Sequence, residues 1–499
     1  MNKMKYSLLF IIIGLIMSSL FSSGQIENPD THLRLTQTRI LLENLKLELP
    51  SDVGEISHGN IAINKLGQRF MVYNIGQSII FLPLYYLSSL ISNNDAECYY
   101  RAAFFVSFIN YFVHAFCAMI LFNIALILNV SKRRALLMSL FFCFTSYSFS
   151  FAQSTYEHHF EMLFILLAFY IALNNNIRKK IVFLSLTISF GLLFRTTTIL
   201  VVPSILLLLD NRKKLFFLLS LIPITIFILI FNYLKFGNPF ESGYEIAWKL
   251  ANGQDIIFWS ITRLPSSIIG FLFSPGKGLF FFSPTIIICW FGLKSFYAKN
   301  SRLSLSIIIF LLLYLCIFSM NFAWHGSIWS FGPRYILPIL PFLYLPLVEV
   351  NLRKKWIYIF FSLGILSQVL LVSVNYKRDV LQEYIRWDGI DQDKYIYNLH
   401  KTPYIVQYKQ LIEIIPKNFS GKLQNYFPDS PWKKENRIGT NQEVLEYSIE
   451  KTAINFWWVR VFLLQKSIFQ RTFALLILSI AIILSFNTLK HIKNEFSQD

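Results

Sequence analysis

Apolar residues in this chain come in long runs rather than in alternation. The runs lie at 6–23, 102–129, 135–152, 161–174, 181–194, 196–209, 215–234, 279–296, 303–320, 335–350, 356–374 and 472–489. A bilayer core needs roughly 20 apolar residues per crossing helix, so the pattern predicts an all-α polytopic membrane protein with about 12 transmembrane helices. Short basic clusters separate the runs: Lys3 and Lys5, Lys132-Arg133-Arg134, Arg178-Lys179-Lys180, Arg212-Lys213-Lys214, Lys294 with Lys299 and Arg302, Arg353-Lys354-Lys355, and Lys490 with Lys493. Short basic loops mark the cytoplasmic face, and twelve crossings put every one of these clusters, and both termini, on that face.

Two stretches constrain this threading. Residues 73–91, "YNIGQSIIFLPLYYLSSLI", are apolar enough to cross, but counting them would invert every later loop. They are read instead as a helix in the outer interface, where Tyr73, Tyr85 and Tyr86 are well placed. Residues 181–209 carry basic clusters at both ends and Arg195 in the middle. Both ends face the cytoplasm only if the stretch is a hairpin of two short legs, about 21 Å each at 1.5 Å per residue, with Arg195 at its tip. A cation held that close to the bilayer demands a partner.

Composition narrows the class. The chain has 499 residues, 55% hydrophobic and 15% charged, against roughly a quarter charged in a soluble domain. Its net charge of +18 resides mostly in the basic clusters, so it reports topology and does not point to nucleic acid. The five cysteines show no CxxC spacing, and four lie in apolar segments, as small core residues would. There is no P-loop and no nucleotide-binding domain, which argues against an ATP-driven pump. Lys3, Lys5, the first apolar run and Ser22-Ser23-Gly24 share the layout of a secretory signal, although the run is long for one. With or without cleavage, residue 25 onward emerges outside.

The unusual polar groupings all fall on the outer side. The first outer loop, 24–101, carries Asp30, His32 and Arg34 in "NPDTHLRL", then His58. In "TQTRILLENLKLEL" (36–49), Ile40, Leu41, Leu45 and Leu49 share a face, predicting an amphipathic helix resting on the membrane. The next outer turn, "STYEHHFEM", holds Glu157, His158 and His159. Arg195 follows, then Lys277 in "SPGKGLFFFSP" (274–284), and Trp324, His325, Trp329 and Arg334 in "NFAWHGSIWSFGPR" (321–334). One well-placed acid thus faces several cations. That suits transfer of a sugar from a lipid phosphate: a desolvated carboxylate serves as base for the acceptor hydroxyl. Arginine matches a phosphate with two parallel charge-assisted bonds, and fixed cations meet charge on the leaving oxygen.

The arrangement resembles the GT-C fold glycosyltransferases, among them the family-39 protein mannosyltransferases and aminoarabinose transferases. The likeness covers about 350 residues, from "NPDTHLRLTQTRILLENLKLEL" through "GLLFRTTTIL" and "SPGKGLFFFSP" to "WHGSIWSFGPRYILPILPFLYLP". It implies a polyprenyl-phosphate-sugar donor, Asp30 as the essential aspartate of the first outer loop and the suggested base, and Arg334 as a ligand of the lipid phosphate. Many relatives carry Asp-Glu or Asp-x-Asp at the first site. Here Thr31 and His32 follow Asp30, which weighs against a metal-dependent mechanism; no cofactor is required, and a divalent metal held by Asp30 with Glu157, His158 and His159 is the alternative.

The expected organisation is a GT-C-like catalytic region over 1–374, an outer domain of underivable fold over 375–470, in which "INFWWVRVFLL" (454–464) reads as an interfacial helix, and a last crossing with a cytoplasmic tail over 471–499. The expected activity is an inverting glycosyltransferase of the inner membrane, working on its outer face on a lipid, glycan or protein acceptor. Asp30 is the catalytic base, with His32 as secondary base or ligand. Arg195, Lys277, Arg334, Glu157, His158, Trp324 and His325 bind phosphate or sugar, although both tryptophans also suit an aromatic belt. A transporter or flippase, or a polymerase or ligase, of lipid-linked saccharides are the alternatives. Broken helices in matching halves would favour the transporter, and no halves match here.

Overall fold

The computed structural model describes residues 2–497 except 52, 54–58, 254–256, 327–329, 352, 376–395, 421–452 and 465–466. His58, Trp329 and much of the expected outer domain lie outside the described residues. The rest is almost entirely helical. Its one sheet is a ribbon of β1 (Ile61–Ile63) and β2 (Arg69–Met71), antiparallel with Ala62 opposite Phe70.

The bundle is organised by α1 (Asn2–Phe21), α2 (Pro29–Asn44), α3 (Gly76–Leu90), α4 (Asp95–Ile127), α5 (Lys132–Thr145), α6 (Tyr147–Phe151), α7 (His158–Leu173) and α8 (Lys180–Phe194). α4 packs on α1, α5 and α7, and α7 on α8. Phe10, Tyr111, Phe141, Phe142, Leu166 and Phe169 fill the core between them. Among the described residues, five helices are long and apolar enough to cross a membrane: Asp95–Ile127, Asn211–Phe236, Ser301–Met320, Lys354–Ser373 and Ile468–Lys493. Two of these, Asn211–Phe236 and Ile468–Lys493, have only 11% of their apolar window buried within the protein. Isoleucine, leucine and phenylalanine left bare over such lengths are stable against lipid and not against water.

The remaining expected crossings are short or broken. Residues 132–154 form two helices bent by 49° at Ser146. The run 279–296 is divided among four short helical pieces, with Pro284 at a break, and 335–350 among three, with Pro338, Pro341 and Pro346 spaced along it. Proline removes a backbone donor and disrupts continuous helix, which hydropathy alone does not register. The apolar helix Leu264–Phe273 falls between the expected crossings 215–234 and 279–296.

The hairpin at Arg195 is present. α8 ends at Phe194, and Thr196–Leu208 runs back so that Asp210 and Lys213 come near Lys180. The basic clusters meet at one end of the bundle: Arg134 donates to the Val348 carbonyl, Lys299 pairs with Glu349, and Arg302 donates to the carbonyls of Leu207 and Leu209. Lys5 pairs with Glu495 at 2.9 Å, so the start of α1 and the end of the last helix share one end too. Arg195, fifteen residues up α8, is thereby raised about 22 Å from Lys180.

One expected element is displaced. The helix in the first long loop begins at Pro29 and ends before Leu45, whose φ of 54° closes it in the left-handed region. Leu49 pairs instead with Arg69 in an extended bridge. Most of this helix is buried rather than resting on a surface: Thr31, Arg34, Gln37 and Thr38 are buried with Leu33 and Leu35, and exposure begins at Leu42 in its last turn. Its polar side chains bond to neighbours, as Thr38 Oγ1 does to the Ser78 carbonyl at 3.0 Å. The segment 454–464 does form a helix, Trp457–Leu464, whose Trp457 and Trp458 indoles donate to the carbonyls of Ser19 and Leu20.

Candidate active site

The site is built where the N-terminus of α2 meets the turn between α6 and α7. Asn28 caps α2: its Oδ1 accepts from Thr31 N at 2.8 Å, and its Nδ2 donates to the Ser154 carbonyl. Pro29 occupies the first turn, where its missing N–H costs nothing. The Thr155 carbonyl accepts from Thr31 Oγ1 and Gln77 Nε2, holding Thr155 at φ 59°. A β-branched residue in that region is strained, and the turn it forces delivers Glu157 into the interior.

A ladder of alternating charges starts there. Arg34, one helical turn after Asp30, sits with Nη2 2.9 Å from Glu157 Oε2, close enough for an ion pair though angled away from a hydrogen bond. Arg195 Nη1 donates to Glu157 Oε1 at 2.7 Å, and its Nε lies 2.9 Å from Glu161 Oε2. Glu161 Oε1 accepts from Tyr314 OH at 2.6 Å and from the Thr197 hydroxyl. Burial pushes the Glu157 carboxyl up, but Arg34 and Arg195 outweigh it and hold it below its usual range. Arg34 also stacks 4.0 Å above the Tyr73 ring.

Arg334 lies outside this ladder. Its guanidinium stacks 4.6 Å over Tyr156 and 4.9 Å over Tyr335, and Nη2 meets Tyr335 OH at 3.2 Å. Its Nε and Nη1 are buried without an acceptor, and no carboxylate among the described residues pairs with it. Gly326 makes room for it. At φ 70°, its own Cβ would stand 2.8 Å from Arg334 Nε. Lys277 is buried nearby, donating to the Ser330 carbonyl. Burial, and then the charge of Arg334, push its ammonium well below the usual lysine range. His325 shares this corner; burial, Lys277 and Arg334 lower its pKa to about 3.

Asp30 faces both groups. Its charge reaches Arg34, Tyr73, Tyr156, Tyr244 and Arg334. Burial and then Asp30 raise the Tyr73 phenol well above its ordinary value, so it stays protonated and able to donate toward Asp30. Asp30 itself is only half-buried, within reach of an incoming group.

Of the residues singled out from sequence, Asp30, Glu157, Arg195, Lys277, His325 and Arg334 therefore converge. His158 joins them. Its ring sits between Phe151, Tyr156 and Tyr335, with both nitrogens buried and unpartnered. His32 is placed differently, with Nδ1 2.8 Å from Tyr99 OH and Nε2 3.0 Å from the Ile26 carbonyl, tying down the loop. Trp324 packs against Phe271 and Gly270, beside His325. His159 turns away from His158 toward Ser148, and no group of three or more metal-ligating side chains assembles among the described residues.

Arg34, Glu161, Tyr73 and Tyr156 were not singled out as site residues by sequence. Two of them had a readable mark. Arg34 lies four residues after Asp30, and Glu161 four after Glu157, the spacing that stacks side chains on one helical face.

No protein-family model and no curated protein matches this chain. Among solved structures, the apo oligosaccharyltransferase of Archaeoglobus fulgidus resembles it with a TM-score of 0.45 and 11% identity, over 79% of this chain and 60% of that one. The chain spans less than two thirds of that neighbour's length, and a likeness this loose transfers neither fold nor function.

Proposed function

We propose that the chain is a membrane glycosyltransferase that moves a sugar from a polyprenyl-phosphate donor to an acceptor hydroxyl on the outer face of the inner membrane. In this reading it has a GT-C-like architecture, twelve crossings and both termini cytoplasmic. The supporting observation is the corner formed by Arg334 and Lys277. Two buried guanidinium N–H groups without an acceptor, beside the buried amine of Lys277, are costly to maintain. A phosphate would satisfy them.

The reaction is a single displacement. Asp30 removes the proton of the acceptor hydroxyl as its oxygen bonds to the sugar's anomeric carbon. The bond from that carbon to the phosphate oxygen breaks, and its electron pair leaves on the lipid phosphate. Arg334 holds that phosphate through its fork, Lys277 balances its charge once protonated, and His158 has a ring nitrogen free to donate. The ladder Arg34–Glu157–Arg195–Glu161 fixes the walls, and the sugar inverts because attack and departure occur on opposite faces. The acceptor is a lipid, a glycan or a protein.

The test is the mass of lipid that copurifies with the protein in mild detergent. A monophosphoryl polyprenol sugar, absent from the Arg334→Ala protein, is expected. A pyrophosphate-linked oligosaccharide, or undiminished lipid in that variant, would overturn the assignment.

A further inference from the structure

The helix Pro403–Ser420 is sorted into three faces. Val406, Gln407, Gln410 and Ile414 are buried against the bundle. Lys409 and Glu413 are exposed on a second side, where Glu413 pairs with Lys417 at 3.0 Å. Tyr408, Ile412, Ile415 and Phe419, spaced four, three and four residues apart, make up the third. They are 56%, 55%, 37% and 87% exposed. A contiguous apolar stripe with a polar border marks an interaction surface.

The height at which this helix sits decides what the stripe meets. The crossing helix Lys354–Ser373 ends on the outer side at Ser373. Tyr404 packs on Phe282 of the apolar run 279–296, and its phenol comes near Ser367 and Gln368, about 9 Å inward of that end at 1.5 Å per residue. Gln407 Nε2 donates to the Val374 carbonyl at 3.4 Å. At the far end of the helix, Asn418 Oδ1 accepts from Ile454 N, and the next amide, Asn455 N, donates to the Ser373 carbonyl at 2.9 Å. Eighteen residues can reach about 27 Å, yet both ends are tied within about two turns of Ser373. The helix therefore runs along the outer rim of the bundle and does not rise away from it. Its stripe continues the bare apolar surface that Leu363 and Leu366 present on the crossing helix.

We propose that Tyr408, Ile412, Ile415 and Phe419 insert into the outer leaflet of the bilayer, with Lys409 and Glu413 at the headgroups, so that Pro403–Ser420 is an interfacial anchor. Thr402, just before the helix, donates from Oγ1 to the Pro275 carbonyl at 3.2 Å. The anchor thus also ties the loop carrying Lys277 to the membrane surface. It needs only that the chain crosses a membrane, and stands whether or not the site transfers a sugar.

The test places a nitroxide on single cysteines, Tyr408→Cys, Ile412→Cys and Lys409→Cys, with Leu366→Cys as the lipid-facing reference, in liposomes of phosphatidylcholine and phosphatidylglycerol. Cys316→Ala removes the one half-exposed native thiol, since Cys98, Cys117, Cys143 and Cys289 are buried. Labels on Tyr408→Cys and Ile412→Cys should collide with oxygen severalfold more than with a water-soluble nickel chelate, as the label on Leu366→Cys does. The label on Lys409→Cys should show the reverse preference. Nickel-favoured collision at Tyr408→Cys and Ile412→Cys would mean a face in water, and protection from both reagents a face covered by protein; either result overturns the anchor. Nickel-favoured collision at Leu366→Cys as well would overturn the crossing assignment and the anchor with it.

Discussion

Replacing Glu157 with glutamine tests whether the charge ladder supports the fold. Glu157 pairs with Arg34 at 2.9 Å and Arg195 at 2.7 Å, and the three side chains are 6%, 2% and 14% exposed. Glutamine keeps the volume but removes the charge. Arg195 retains Glu161, whereas among the described residues Arg34 keeps the stacking of Tyr73 and the more distant charge of Asp30. Breaking a buried pair by removing one partner costs about 3–5 kcal/mol, because the other charge is left uncompensated in a poor solvent. Glu349→Gln is the control: its partner Lys299 is 61% exposed, and such pairs contribute about 0–1 kcal/mol. Thermal unfolding in detergent should show Glu157→Gln lowered by several degrees, with Glu349→Gln close to wild type. Equal shifts in the two variants would refute the claim that the ladder is buried and stabilising.

Three further outcomes follow from the geometry. Asp30→Asn should lower transfer by about 100-fold or more, the usual worth of a general base, with binding of polyprenyl phosphate unchanged; full activity would remove Asp30 from the role. Arg334→Lys should weaken polyprenyl-phosphate binding about tenfold, since a point charge cannot make the paired bonds of the fork, and unaltered affinity would count against that contact. Lys277 begins with its pKa lowered by burial and by Arg334. A bound phosphate pulls that pKa up, so binding above neutral pH should take up a proton. Calorimetry in buffers of different ionisation enthalpy reads this directly; the uptake should vanish in Lys277→Met, and its absence in wild type would contradict the assignment.

How much was legible in advance can be traced to particular residues. The basic clusters are surface groups in short loops, so their sidedness could be read without knowing any contact. That confined Asp30, Glu157, Arg195, Lys277 and Arg334 to one end, where the structure brings them together. Arg34 was opaque because an arginine early in a loop helix reads equally well as a solvated face. Its burial depends on Glu157, more than a hundred residues away. Glu161 opens the apolar run 161–174, and an acid at the mouth of a crossing is itself a mark of function. Helix continuity was the least legible feature. Runs such as 335–350 have the composition of a span, but their prolines break them into short turns. The left-handed turn at Thr155 was invisible too, since the bonds that sustain it come from Asn28, Thr31 and Gln77, far away in sequence.

The two halves of the site differ in one respect that bears on how binding would work. Arg34, Glu157, Arg195 and Glu161 alternate in sign, so that half is paired in charge without a ligand, although Arg34 Nη1, Glu157 Oε2 and Glu161 Oε2 lack hydrogen-bond partners. Among the described residues, Arg334 has only aromatic faces, a tyrosine hydroxyl and the distant charge of Asp30. Cation–π contacts offset part of the desolvation of a guanidinium, by about 2 kcal/mol when shielded from water, and leave its Nε and Nη1 unsatisfied. The free protein is therefore held in a state that an anion improves, with the position of the anion set beforehand by Tyr156, Tyr335 and the glycine at 326. A cation fixed before the substrate arrives needs no reorganisation when charge develops on the leaving phosphate. The charge-paired ladder makes that possible, since it keeps Glu157 and Glu161 engaged with Arg34 and Arg195 and away from Arg334.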